Sequence, residues 1–294
     1  MYITEPPPFK PSIAIGRPFS VQGKARTTTS KIPSRGTLKN WDSWKIDVNP
    51  SVLASNPYNQ EIGLQWLKNA EAEHASVASF ARFTLQLMSI GAPSDLLVES
   101  QKAALDEIKH AKMSYGLASK FIGTNFVPGP LDVTNSLENM DLKEITQSLI
   151  QEGCIGETLS AIEAHFAAER AGDAAVKEAL LEIGTDETKH AQLAWNTIYW
   201  ITRKYPNIRT FVEETFGTKL EQSRMTTKRG APITSCLESD KDDKYREYGL
   251  LIKEDRDKVR EAGIRDVITP VYSGGFKNAG LISQKIIQLK VLSI

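Results

Sequence analysis

The same hexapeptide occurs twice in this chain, as Asp106-Glu107-Ile108-Lys109-His110-Ala111 and Asp186-Glu187-Thr188-Lys189-His190-Ala191. The two copies differ only at their third residue and lie 80 positions apart, Glu107 to Glu187. Each sets a carboxylate and an imidazole at i and i+3, which are neighbours on one face of an α-helix. A Glu-x-x-His pair from each of two helices is half the ligand set of a dinuclear carboxylate site inside a helix bundle. The repeat therefore asks for long helices, and for two further carboxylates facing it.

The hydrophobic pattern supplies four such helices. Over 58–90, Trp66, Ala70, Glu73, Val77, Phe80, Thr84 and Leu87 recur at steps of four and three, the stripe of a core-facing helix. Gly91-Ala92-Pro93-Ser94 breaks it, with Gly91 suited to the position just past a helix end and Ser94 to the next N-cap. A second stripe over 95–122 carries Ala103, Glu107, His110, Ser114, Leu117 and Phe121. Residues 123–140, with Gly123, Pro128, Gly129 and Pro130, read as a crossover loop. Asp141 followed by Glu144 opens a third helix over 142–170 as a capping box, placing Ile150, Cys154, Glu157, Ala161 and Ala164 on one side. After Ala171-Gly172-Asp173, a fourth helix over 174–204 carries Val176, Leu180, Ile183, Glu187, His190, Ala194, Thr197 and Ile201 until Pro206 stops it. Short breaks imply antiparallel neighbours. The predicted fold class is all-α, with two antiparallel helical hairpins joined by one long connection.

The flanks read differently. Residues 1–57 hold eight prolines and predict an extended arm, with short strands near Ser12–Ile15 and Phe19–Gln22. In 206–294 the pattern predicts a short helix from Asn207 to Phe216, a loop over 217–238 and a solvated helix from Glu238 to Glu261. The apolar tail Leu281–Ile294 is expected to pack on the bundle, as helix or strand.

Composition excludes several classes. With 36 acidic and 36 basic residues, no basic face points to nucleic acid or anionic lipid. Two cysteines, Cys154 and Cys236, make no disulfide framework and no C-x-x-C pair, which fits a reducing compartment. No run of about 18 apolar residues occurs, and the first ten residues lack a signal-peptide core. A soluble cytoplasmic protein is the expectation.

Each of the four stripes carries one carboxylate: Glu73, Glu107, Glu157 and Glu187. Glu73 lies 18 residues before Gly91 and Glu107 lies 16 after it; Glu157 and Glu187 each lie 15 from Gly172. In antiparallel hairpins these positions fall in one layer. Ionised carboxylates in an apolar interior cost several kcal/mol apiece unless paired or bound to a cation, and a divalent pair supplies that charge. Two rivals stay open. Glu71 with His74 makes a third Glu-x-x-His but falls off the apolar stripe, and Glu152 competes with Glu157 from a different face. His74 and Cys154 are placed around the ligands rather than among them, and His165, Tyr115, Trp195 and Tyr199 are read as packing.

Over roughly 58–205 the chain resembles the ferritin-like di-iron carboxylate superfamily, whose pattern runs Glu, Glu-x-x-His, Glu, Glu-x-x-His on four successive helices. It maps onto Glu73, Glu107 with His110, Glu157, and Glu187 with His190. That superfamily often has an aspartate just before the Glu-x-x-His glutamate, hydrogen-bonded to a ligand histidine, and Asp106 and Asp186 match it. The resemblance implies two iron ions, with manganese or a mixed manganese–iron pair as the alternative. It implies dioxygen and a small organic molecule as substrates of an oxidase or hydroxylase, and is compatible with an electron donor and a homodimer. Glu107 and Glu187 would bridge the metals while Glu73 and Glu157 would be terminal. The alternative is iron handling or peroxide removal, as in rubrerythrins and manganese catalases; a metal-free bundle that binds a partner is a third reading. Subfamily markers are missing. Ser114, followed by Tyr115, stands where ribonucleotide reductase small subunits have a radical tyrosine, Ile183 where arylamine N-oxygenases have an extra histidine, and Ala161 where hydrocarbon monooxygenases have a threonine. Ala70, Ala103, Ala161, Ala191 and Ala194 leave room for a small molecule near the ligands.

Overall fold

The computed structural model describes residues 17–33, 44–52, 55–138, 140–228, 240–276 and 278–291, and is mostly helical. The strand expected at Ser12–Ile15 lies outside the described residues, as does Cys236.

Helices α1 (Asn59–Ser89) and α2 (Ser94–Ile122) pack along their length as an antiparallel hairpin. Gly91 turns the chain at φ +62°, a conformation that favours glycine. The next helix begins one residue earlier than expected: Pro93, extended at φ −66° and ψ 153°, takes the cap position and Ser94 is already helical. The ring of Pro93 sets that φ, and no side chain caps the helix there. The third stripe is not one regular helix. It runs as α3 (Leu142–Ser148), a π-helical stretch (Leu149–Glu157) and α4 (Thr158–Arg170). Gly153 lies in the π stretch, where an added Cβ would come within 2.8 Å of the Ala194 Cβ. Helix α5 (Ala174–Lys204) thus packs almost onto that backbone. Asp141 Oδ1 caps α3 through Lys143 N–H (2.9 Å) and Glu144 N–H (3.2 Å).

Two connections pass over this framework. Strands β1 (Ser20–Val21) and β2 (Lys24–Ala25) form a small hairpin around Gln22 and Gly23, both at positive φ. It covers the strand expected over Phe19–Gln22, with Phe19 and Val21 buried against Ala75. Strand β3 (Ser30–Lys31) pairs antiparallel with β4 (Val127–Pro128) from the crossover, tying the arm to the link between the hairpins. Ile46 approaches α2 at Gly116, where a Cβ would fall 2.1 Å from the Ile46 carbonyl oxygen.

The C-terminal third departs most from expectation. Helix α6 runs Arg209–Lys228, well past Phe216, because Val212, Phe216 and Leu220 continue one buried stripe across Gly217. The charged run is two helices, α7 (Asp240–Glu247) and α8 (Lys253–Ala262), separated by the buried apolar segment around Tyr248, Leu250 and Leu251. Its charges are not all solvated: Arg256 Nε (3.2 Å) and Arg260 Nη1 (2.6 Å) reach the buried Glu163 carboxylate on α4. After α9 (Thr269–Ser273), helix α10 (Ile282–Val291) packs on α4 and α5, so the described part of the apolar tail is helical.

Asp173 joins two of these parts. Its Oδ1 accepts from Val176 N–H (3.0 Å) to cap α5, and its Oδ2 accepts from Ser51 N–H (2.7 Å) of the arm. Asp173→Ala is expected to lower unfolding free energy by about 1–2 kcal/mol in chemical denaturation, the upper range for a lost N-cap. Alanine at the exposed Glu178 of the same helix should leave it nearly unchanged.

Candidate metal centre

Glu73 from α1, Glu107 and His110 from α2, Glu157 from the end of the π-helical stretch, and Glu187 and His190 from α5 all point into one interior. Each is 0–2 % exposed. One donor atom from each of Glu73, Glu107, His110 and Glu187 lies within 4.8 Å of the others, and the same holds for Glu107, Glu157 and His190. Glu107 belongs to both sets. It turns Oε1 to His190 Nδ1 (3.3 Å) and Oε2 to His110 Nδ1 (3.8 Å), while Glu187 Oε1 stands 3.7 Å from both Nδ1 atoms. Both carboxylates therefore lie between the imidazoles, the place of bridging ligands.

The outer nitrogens are tied crosswise. His110 Nε2 on α2 meets Asp186 Oδ2 on α5 at 3.3 Å, and His190 Nε2 on α5 meets Asp106 Oδ2 on α2 at 3.3 Å. An Nε2–H donated to a carboxylate leaves Nδ1 with its lone pair aimed at the cluster, as a metal ligand requires. Lys189 Nζ binds Asp186 Oδ1 at 2.7 Å. Asn69, one turn before Glu73, donates from Nδ2 to Glu73 Oε1 (3.2 Å) and to Ser114 Oγ (2.9 Å). Asn69 was not singled out in the sequence, although its i−4 spacing from Glu73 carries the signal.

The cluster is short of positive charge and of donors. Glu73 Oε2, both oxygens of Glu107, Glu157 and Glu187, and Nδ1 of both histidines are buried without a hydrogen-bond partner. Orphaned buried polar atoms are rare in folded proteins, and here they share one centre. Burial, then the charges of Glu107, Glu187 and Glu157, holds the Glu73 carboxyl far above the usual carboxylate range. Burial and Glu187 do the same to Glu157. Burial would also raise Glu107, but contacts from His110 and His190 outweigh it and hold it low. Burial works against protonation of His110, yet Asp186 and Glu107 push it up to about 9, and His190 is raised in the same way by Asp106 and Glu107. Divalent cations held by these residues would supply the positive charge that so many buried carboxylates call for.

The remaining buried acids behave differently. Glu152 faces away from the cluster and meets Arg82 Nη2 (3.3 Å) and Arg17 Nε (3.9 Å). Glu71 accepts from Ser30 N–H (2.9 Å), outside the centre. Of the two rival pairs, it is Glu73 and Glu157 that reach the centre. His74 belongs to neither donor set: one residue round the helix from Glu73, its half-buried ring packs edge-on against Trp44 at 5.1 Å, and burial lowers its pKa. Cys154 is buried one turn from Glu157 but belongs to neither donor set, and burial keeps its thiol well above its usual range. Its carbonyl accepts from Thr158 Oγ1 (2.7 Å), which accepts from Trp195 Nε1 (3.1 Å), so this stretch braces α4 against α5. Tyr115 is occupied with Ser30 (3.2 Å), away from the ligands.

Glu157→Gln is expected to reduce bound metal measured by elemental analysis, whereas Glu152→Gln should leave metal content unchanged and act on stability alone. Equal losses from the two would count against this geometry. No protein-family model matches the chain, and neither does any curated protein or solved structure.

Proposed function

We propose that this centre holds two divalent metal ions, iron foremost, and that the chain is a ferritin-like di-iron carboxylate oxidoreductase acting with dioxygen on a small organic substrate. The observation that carries the metal reading is the set of nine buried donor atoms, on six residues from four helical segments, that lack a hydrogen-bond partner yet converge on one another. A pair of ferrous ions bound there would supply electrons to dioxygen.

The residues divide that work. Glu107 and Glu187, which lie between the imidazoles, would hold the ions together with Glu73, Glu157, His110 and His190. Asp106 and Asp186 keep the imidazoles oriented, since an imidazole whose outer N–H is held cannot turn its lone pair away from the centre. Phe80, edge-on to the His190 ring at 5.0 Å, excludes water on that side. Ala70, Ala103, Ala161, Ala191 and Ala194 are all buried, and their small side chains suit a site that admits a small molecule. Among the described residues no helix is long and apolar enough to cross a membrane.

Anaerobic loading with ferrous iron should give about two ions per chain, as two donor sets demand, followed by oxygen uptake in an oxygen electrode. His110→Ala or His190→Ala should abolish both while the far-ultraviolet dichroism stays helical. Wild-type protein that binds no iron would defeat the proposal. Uptake of many irons per chain would point instead to iron storage.

A further inference from the structure

We infer that the two metal positions are unequal: the one built on Glu73 and His110 fills first and holds its ion, while the one built on Glu157 and His190 fills second and exchanges. This rests on the dimetal reading above, and it follows from how each set of donors is supported.

Glu107 and Glu187 lie between the imidazoles and are common to both positions, so the positions differ in their own terminal carboxylate and imidazole. The terminal carboxylates differ in how they are held. Glu73 is held through Oε1 by Asn69, itself anchored on Ser114, whereas neither oxygen of Glu157 has a hydrogen-bond partner. Glu157 also ends a π-helical stretch, where the backbone departs from the regular i to i−4 ladder, while Glu73 lies inside an unbroken α-helix. A pre-positioned ligand loses less freedom on binding, so its ion is held more tightly.

The aspartates behind the imidazoles repeat this contrast, although the sequence motif that supplies them is duplicated. Asp186, behind His110, is only 11 % exposed and is clamped by Lys189 at 2.7 Å. Asp106, behind His190, is 30 % exposed and has no lysine ion pair among the described residues. Lys109, the counterpart of Lys189, is taken instead by Glu182 across the gap between α2 and α5. Asp106 is therefore the less firmly held of the two supports, and the position at His190 is the one that exchanges.

The test is an anaerobic titration of chelator-stripped, full-length protein with cobalt(II), counting bound ions by native mass spectrometry. A one-ion species should accumulate before the two-ion species, with the first ion bound at least about tenfold more tightly, the scale on which supporting contacts act. Glu157→Gln should keep the tight ion and lose the second, and Glu73→Gln should lose the tight one. Asp186→Asn should weaken the first binding event, and Asp106→Asn the second, each by about 10–100-fold. Two ions of equal affinity in the wild type, or loss of the tight ion in Glu157→Gln, would overturn the inequality and leave the dimetal reading standing. A wild-type protein that binds no ion would overturn both. The wild-type isotherm decides the matter even where a variant, checked by circular dichroism, does not fold.

Discussion

The interior of this protein is governed by the cost of burying a negative charge. Removing one side chain's ionic charge from water costs several kcal/mol unless a partner is supplied, and the chain meets that requirement in two ways. Glu152, Glu163 and Asp255 are buried against guanidinium groups: Arg17 and Arg82, Arg256 and Arg260, and Arg246 respectively. Glu73, Glu107, Glu157 and Glu187 are buried against one another and two imidazoles. Arginine compensates the acids around the core, and the acids at its centre are left for cations.

This division shapes the rest of the molecule. The arginines come largely from segments outside the four long helical stretches: Arg17 from the arm, Arg256 and Arg260 from α8. Those segments dock on the outer faces of the helices and neutralise charge there. Inside, each donor set needs residues from both hairpins, so neither can form within one hairpin alone. The crossed aspartate–histidine pairs make the same demand, since each imidazole on one helix is oriented by a carboxylate on another. A metal ion bound there would therefore stabilise the docked hairpins by mass action.

Legibility of the sequence followed the strength of local periodicity. α1, α2 and α5 came within a residue or so of their expected bounds because their apolar residues recur regularly and because Gly91, Asp173 and Pro206 punctuate them. The π-helical stretch was hidden, since no pattern of residue types announces it. The far end of α6 was hidden because Gly217 reads as a breaker, yet its place in the fold asks nothing of a side chain. The break between α7 and α8 was masked by their charged surfaces, although Tyr248, Leu250 and Leu251 already spelled a buried segment.

The sequence by itself determined the helices, the pairing of glutamate with histidine at one-turn spacing, and the common height of the four carboxylates, because all three depend on spacing along a chain with a fixed rise per residue. Only the tertiary structure decided between Glu73 and Glu71 and between Glu157 and Glu152, set His74 against Trp44, brought in Asn69, and crossed the aspartates between helices. Those outcomes depend on which way a side chain points and on what a distant segment places beside it. Two identical motifs consequently ended in unlike surroundings: Lys189 found Asp186, while Lys109 found Glu182.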